Sequence, residues 1–330
     1  MRIFVTGGAG FVGGALVRRL RARGDEVVAA VRDPDRARAI SKLGCRLVRC
    51  DLSSSAELAG LMTGADAVIH GAGSYRVGIM ASERPAMEDS NVGATARVLD
   101  AAVTVGATRI VYVSTVNVFG DTSGTIVDET YRRDPSRGFF SWYDETKYRA
   151  HLIAEERIAK GGPIVIGMPG QVYGPGDHSA VGQWLSGAFR GRLPYVALGQ
   201  VGLSFIHVDD LADGLVALLD RGRTGEAYVL DGDPVRLIDA LELAARLGGH
   251  GLPPVRVPTA ILRLMAPLSG LLHGRFGIAA NMAEVIAAAD GVTYWASHDR
   301  ASRELGFAPR ALEDGLRATF LPTAIGGAGT

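Results

Sequence analysis

Thr6-Gly7-Gly8-Ala9-Gly10-Phe11-Val12-Gly13 stands between a short apolar run, Ile3–Val5, and an amphipathic stretch, Phe11–Arg23. Gly7, Gly10 and Gly13 satisfy G-x-x-G-x-x-G, while Gly8, Gly10 and Gly13 satisfy G-x-G-x-x-G. Glycine permits the tight turn after a strand and lets the backbone approach a pyrophosphate. The last glycine lets helix and strand pack closely. The helix start then offers N–H groups and a partial positive charge to the phosphates. In a chain with 44 glycines the pattern alone says little. At the first strand–helix junction it predicts a dinucleotide site.

Outward from this loop the pattern alternates. The β-rich runs Glu26–Val31, Arg46–Cys50, Ala67–His70, Arg109–Ser114 and Ile164–Met168 are mostly continuously apolar, as strands buried on both faces are. Helical patterns lie between them, over Asp35–Leu43, Ala56–Met62, Pro85–Val105 and Tyr143–Lys160. The alternation predicts an α/β fold, a Rossmann-like doubly wound parallel sheet over residues 1–170. After residue 170 glycines and prolines break the rhythm. Residues 171–202 and 231–322 read as a smaller, mostly helical substrate domain. Residues 203–230 read as returning to the first domain, and 323–330 as a flexible tail.

Composition excludes several classes. The 330 residues carry 35 basic and 35 acidic side chains, which argues against a nucleic-acid binder relying on bulk charge. With 47% hydrophobic residues the chain is not disordered. Cys45 and Cys50 lack C-x-x-C spacing and read as buried, inert packing. Arg2 runs directly into a strand, so no signal peptide is read, and no apolar run has the length of a membrane span. A cytoplasmic protein is expected. The seven histidines form no H-x-H or H-x-x-x-H pair, so no metal site is expected.

The second strand ends Val31-Arg32-Asp33. An acidic residue at this tip usually holds the ribose 2′-OH of NAD. Here that slot falls on Val31 with Arg32 beside it, and an arginine suits a 2′-phosphate. NADP is therefore preferred over NAD, with Asp33 as the competing acidic candidate. Asp51-Leu52, ending the third strand, is read either as an adenine cap or as a plain helix entry.

Only three lysines occur, and one completes Tyr143-Asp-Glu-Thr-Lys147. Chance would supply roughly 0.08 such Y-x-x-x-K matches in this composition. On a helix the two share a face. A nearby ammonium favours the phenolate, so the tyrosine can exchange a proton with a carbonyl or alcohol oxygen near neutral pH.

With Tyr143 and Lys147 in place, the chain resembles the extended short-chain dehydrogenase/reductases (the NAD(P)-dependent epimerase/dehydratase family). The resemblance rests on Thr6–Gly13, His70–Gly73, Asn91, Val111–Gly120, Tyr143–Lys147, Pro169–Asp177 and Phe205–Asp210, in family order. It implies Thr115, Tyr143 and Lys147 as the catalytic set. Thr115 would hydrogen-bond the substrate oxygen, while Ser114 points to the opposite face. Lys147 would also bind the nicotinamide ribose. It implies a cofactor site from Thr6, Gly7, Gly10, Phe11, Val12, Gly13, Arg32, Asp51, Leu52, His70, Gly71, Ala72 and Gly73. Pro169, Gln171 and Val172 would border the nicotinamide, and Asn91, counted with the cofactor site, would support the active-site helix. Ser74, Asn117, Tyr173 and His178 are candidates to line the substrate. A homodimer through the helices around 85–105 and 143–160 is implied as well.

Departures from the family patterns narrow the reading. Val116-Asn117 replaces the acidic residues that dehydratase-like members carry after the threonine. Leu203 and Met168 stand where nucleotide-sugar enzymes place arginines. Arg190, Arg192 or Arg256 could substitute. Arg32-Asp33-Pro34 resembles the dihydroflavonol reductase and 3β-hydroxysteroid dehydrogenase branch. Ile261, Leu262, Leu264, Met265, Leu268, Leu271, Leu272, Phe276 and Ile278 would suit an apolar substrate or pack as core. His207 reads as structural, and Asp209-Asp210 as a helix N-cap pair. The expected reaction is reversible NADP(H)-dependent interconversion of a carbonyl and a secondary alcohol on a small, fairly apolar molecule. The alternatives are a nucleotide-sugar epimerase that retains NAD and a non-catalytic NADP(H) sensor.

Overall fold

Continuous apolar runs leave a strand no solvent face, so they must be covered on both sides. The computed structural model describes residues 1–272 and 279–321. Its strands are β1 (Arg2–Thr6), β2 (Glu26–Val31), β3 (Arg46–Arg49), β4 (Ala67–His70), β5 (Arg109–Val113), β6 (Ile164–Pro169), β7 (Gln171–Tyr173), β8 (Val196–Ala197), β9 (Gly202–His207), β10 (Ala227–Leu230), β11 (Pro234–Arg236) and β12 (Arg256–Val257). Seven form one sheet in the order β10-β6-β5-β4-β1-β2-β3. Every pairing in it is parallel. β4 and β6 are buried along their whole length. This is a Rossmann-like doubly wound sheet, and its strand order reverses between β1 and β4, where such folds open a crevice.

Helices cover both faces because their apolar residues recur on one side. Phe11–Ala22 buries Ala15, Leu16, Val17 and Leu20. It packs against Val208–Arg221, which buries nine residues. Trp142–Ala159 is different. Ser141 caps it by accepting from the Asp144 N–H at 3.1 Å. Its buried stripe runs Tyr143, Thr146, Lys147, Ala150, His151 and Ala154, at helical spacing but with polar members.

Three segments differ from expectation. The helix read over 85–105 is interrupted by a π-helical turn, Asp89–Gly93, between Arg84–Glu88 and Ala94–Thr104. Such turns insert one extra residue and often mark functional positions. The helix read over 35–43 is a 3₁₀ turn, Pro34–Ala37, followed by the short helix Arg38–Ser41. The strand at 203–207 does not rejoin the large sheet. Gly170 turns the chain so closely past the Ser204 carbonyl that a Cβ there would lie 2.3 Å from it. β9 then pairs with β7 and, antiparallel, with β11. β10 returns to β6, and the helix Val208–Arg221 packs on Phe11–Ala22, so of residues 203–230 the strand is the part that stands apart.

Buried Cys45 and Cys50 are free thiols whose pKa burial pushes up. His207, not Asp209, caps the helix after β9 through Nδ1. Asp210 is held bidentately by Arg310, at 2.7 Å for the closest contact. Ile261, Leu264, Met265 and Leu268 are exposed, so they are not core. Phe276, Ile278 and the 323–330 tail lie outside the described residues.

A very close backbone approach lies where the first strand turns into its helix. A Cβ on Gly13 would stand 2.1 Å from the Gly7 carbonyl oxygen. Gly13→Ala is expected to lower stability by roughly 1–3 kcal/mol, as overpacked positions do. The check is a urea denaturation midpoint; an unchanged midpoint would contradict the approach.

Candidate active site

The glycine loop turns through Gly7, whose φ of +77° suits glycine. A Cβ on Gly7 would lie 2.7 Å from the Ala72 nitrogen, so the loops after β1 and β4 touch backbone to backbone. Gly10 precedes Phe11–Ala22 without a side-chain cap, and no acidic residue stands in the first turn. The first N–H groups of that helix are therefore left to an anion. Phe11, Val12 and Gly13 form this turn and are half-buried. The cradle fits a dinucleotide pyrophosphate.

Thr6 and His70, which the resemblance places in the cofactor site, are buried, and their side chains turn inward. The Thr6 hydroxyl lies 2.7 Å from His70 Nδ1 and accepts from the Ala72 N–H at 3.3 Å. His70 Nε2 lies 3.1 Å from the Thr95 hydroxyl. Burial, and next Lys147, push the His70 pKa down to about 3, so the ring is neutral. Thr95 donates to the Asn91 carbonyl. Its oxygen thus accepts from Nε2–H, and Nδ1 accepts from Thr6; this tautomer is assigned from the partners.

Asn91 lies in the π-helical turn and is buried. Its Oδ1 accepts from the Ser74 N–H at 2.7 Å, and Nδ2 donates to the Ser74 carbonyl and the Thr146 hydroxyl. It braces the loop after β4 against the Tyr143 helix. Ser74 is correspondingly held by its backbone. Gly71, Ala72 and Gly73 line the crevice itself.

Arg32 is exposed at the tip of β2. The Asp33 carboxylate accepts from the Asp35 N–H at 3.0 Å and caps the 3₁₀ turn. Asp51 likewise accepts from the Ser53 N–H at 2.9 Å, and the Ser53 side chain, and next its N–H, lower the Asp51 pKa. Leu52 adopts φ +64° and gives its carbonyl to Arg97.

Thr115, Tyr143 and Lys147 come together at the ends of β5 and the start of Trp142–Ala159. All are buried. The Thr115 hydroxyl donates to Asn117 Oδ1 at 3.0 Å and accepts from the Asn117 N–H. Ser114 turns away to His151 Nδ1 at 2.9 Å. Lys147 Nζ donates to the Val113 carbonyl at 3.1 Å and lies 5.2 Å over the Tyr112 ring. Burial pushes the Lys147 pKa down to about 8. The Tyr143 phenol lies well above its ordinary range, chiefly through burial and next through Tyr75, with Thr115 opposing. The expected lowering is not found: burial raises the phenol, and Tyr143 is protonated at neutral pH.

On the substrate side Asn117 joins Thr115, and His178 is exposed beside the helix Ala180–Phe189. Tyr173 does not face a substrate. It is 1% exposed, lies edge-on to Phe205 and His207, and reaches the Leu312 carbonyl. Pro169 is buried, while Gln171 and Val172 stay partly open. Sequence reasoning missed Tyr75, whose ring meets Tyr143 edge-on at 4.8 Å, and Glu284. Glu284 accepts from the Gly78 N–H at 3.0 Å and from the Trp142 N–H, joining a distant helix to both loop and catalytic helix. Tyr75 follows the crevice loop directly, which was an available signal; Glu284 offered none. Val77, Ile79, Met87 and Trp142 pack with Tyr143 as an apolar wall. Among the described residues no cluster of acidic, histidine or cysteine side chains could hold a metal. Among the described residues no helix is long and apolar enough to cross a membrane.

Several known proteins are similar to this chain along most of its length. The 4-hydroxy-2-methyl-3-oxo-4-farnesyl-3,4-dihydroquinoline-1-oxide ketoreductase of Stigmatella aurantiaca is 31% identical over 323 residues, covering 96% of this chain and 95% of that protein. A dihydroflavonol 4-reductase-like protein of Synechocystis is 32% identical over 262 residues, covering 77% and 75%. The solved structure of gox2253 superposes with a TM-score of 0.82 at 30% identity, covering 97% of this chain and 96% of that one. The profile of the NAD dependent epimerase/dehydratase family matches residues 3–231, and the chain belongs to that family as an enzyme of the extended short-chain dehydrogenase/reductase type.

Proposed function

We propose that this enzyme is an NADP(H)-dependent ketoreductase acting on a small, fairly apolar carbonyl compound or the matching secondary alcohol. The observation that carries it is the buried set of Thr115, Tyr143 and Lys147 facing an apolar wall, with no acidic residue at Val116-Asn117. Dehydration would need such an acid. Two relatives are named for carbonyl reduction.

The glycine turn and the open start of Phe11–Ala22 would hold the pyrophosphate. A bound nicotinamide would supply or accept the hydride. Tyr143, kept protonated by burial, gives its proton to the substrate oxygen during reduction. Thr115 turns its hydroxyl from Asn117 to that oxygen and holds it beside Tyr143. Lys147 supplies a positive field and a donor for the nicotinamide ribose. Arg32 is the group for a 2′-phosphate, since Val31 is buried and Asp33 caps its own turn. Exposed Val103 and Leu152 lie on the helices through which a homodimer would form. A nucleotide-sugar epimerase would use the same catalytic set. Buried Met168 and half-buried Leu203 give its diphosphate no cation where one is usual.

Tyr143→Phe is expected to abolish turnover of ketones with NADPH while the NADPH dissociation constant stays within about twofold of wild type. Ordinary turnover in this variant would remove the assignment. Arg32→Ala is expected to weaken NADPH about tenfold or more and to leave NADH unchanged, because a charged hydrogen bond to phosphate is lost. Equal effects on both nucleotides would transfer the cofactor reading to NAD.

Lys147 loses its charge as the pH rises through about 8, below the ordinary lysine value. Its contribution is complete below that pH and lost above it. The profile of kcat/KM should therefore fall on the alkaline side near this pH, and Lys147→Arg should carry that limb upward. A profile flat to pH 10 in the wild type would contradict the role.

A further inference from the structure

We propose that Tyr75 is the substrate-sorting residue of this site, an aromatic shelf that selects flat, neutral ring ketones over chain-like ones. The proposal rests on the ketoreductase reading and adds the shape of its substrate. Tyr75 stands edge-on to Tyr143, with ring centroids 4.8 Å apart and planes at 83°. Yet it remains 52% exposed, an aromatic surface left open beside the catalytic acid.

The segment that carries it is pinned at both ends. On one side Asn91 holds both backbone groups of Ser74. On the other, Gly78 donates to Glu284 and accepts from the Asn281 N–H at 2.9 Å. Gly78 has φ +76°, and a Cβ there would lie 2.7 Å from Val285, so the segment is seated closely on Met282–Ala289. Arg76 is paired with Glu83 at 2.7 Å. Tyr75 is thus presented on a fixed span. A tyrosine has few rotatable bonds, so little entropy is lost when a ligand covers it.

The surroundings define the chemistry. Val77, Ile79, Met87 and Trp142 give an apolar wall at Tyr143. Burial, and next the Asp177 carboxylate, push the Tyr75 phenol up, so negative charge acts on that hydroxyl. A carboxylate there repels an anionic diphosphate and tolerates a neutral ligand. A planar ring gains an aromatic contact with Tyr75 that a flexible chain of equal size does not.

The test compares α-tetralone with 2-decanone, which share a carbon count and differ in shape. Dissociation constants for the NADP⁺-saturated protein are read by calorimetry, and kcat/KM with NADPH is measured alongside. Wild type should favour α-tetralone. Tyr75→Leu should erase about tenfold of that preference, chiefly in binding and KM. Tyr75→Phe, which keeps the ring, should restore it. Equal loss for both ketones in the leucine variant would overturn the proposal, since Tyr75 would then only support Tyr143. Wild-type protein that binds the two equally, or neither, would overturn it too. Shape-selective binding without NADPH oxidation would instead remove the ketoreductase reading and leave the shelf in place.

Discussion

The site depends on one constraint: two backbones must touch where the strand order reverses. Gly7 lies against the Ala72 nitrogen and Gly13 against the Gly7 carbonyl, at distances no Cβ allows. This contact draws the loops after β1 and β4 together at the crevice. It also leaves the start of Phe11–Ala22 open, because no side chain is there to cap it. Anion binding and sheet topology therefore have a common origin.

A buried polar chain carries that geometry to the catalytic helix. It runs from the Ala72 N–H through Thr6, His70, Thr95, Asn91 and Thr146 to the Tyr143 carbonyl. Each polar group passes a proton donor to the next acceptor, so the buried groups are satisfied. A charged imidazole would have two donors and break the direction of the chain. The strongly lowered His70 pKa and the hydrogen-bond pattern agree on a neutral ring. The π-helical turn at Asp89–Gly93 places Asn91 in this path. The chain thus links the nucleotide crevice to the position of the acid.

What was legible in the sequence was local. The glycine turn and the Tyr143-x-x-x-Lys147 spacing are encoded within eight and five residues, and strand periodicity revealed the sheet. What was illegible depended on distant partners. Tyr173 lies inside a site-like motif, yet a helix beginning at Leu312 covers it. Glu284 reaches Trp142 across the whole C-terminal half. The Tyr143 environment also reversed an expectation. Spacing suggested a phenol lowered by lysine, whereas burial raises it.

On the proposed function the nucleotide is an exchanging NADP(H), held through Arg32 and released between turnovers. The direct test is to purify the protein without added cofactor, denature it, and identify any nucleotide released by chromatography and mass. Little retained nucleotide, or NADP(H), is the predicted result. Stoichiometric NAD(H) would contradict the account, since a tightly kept NAD belongs to an epimerase cycle and leaves Arg32 without its phosphate.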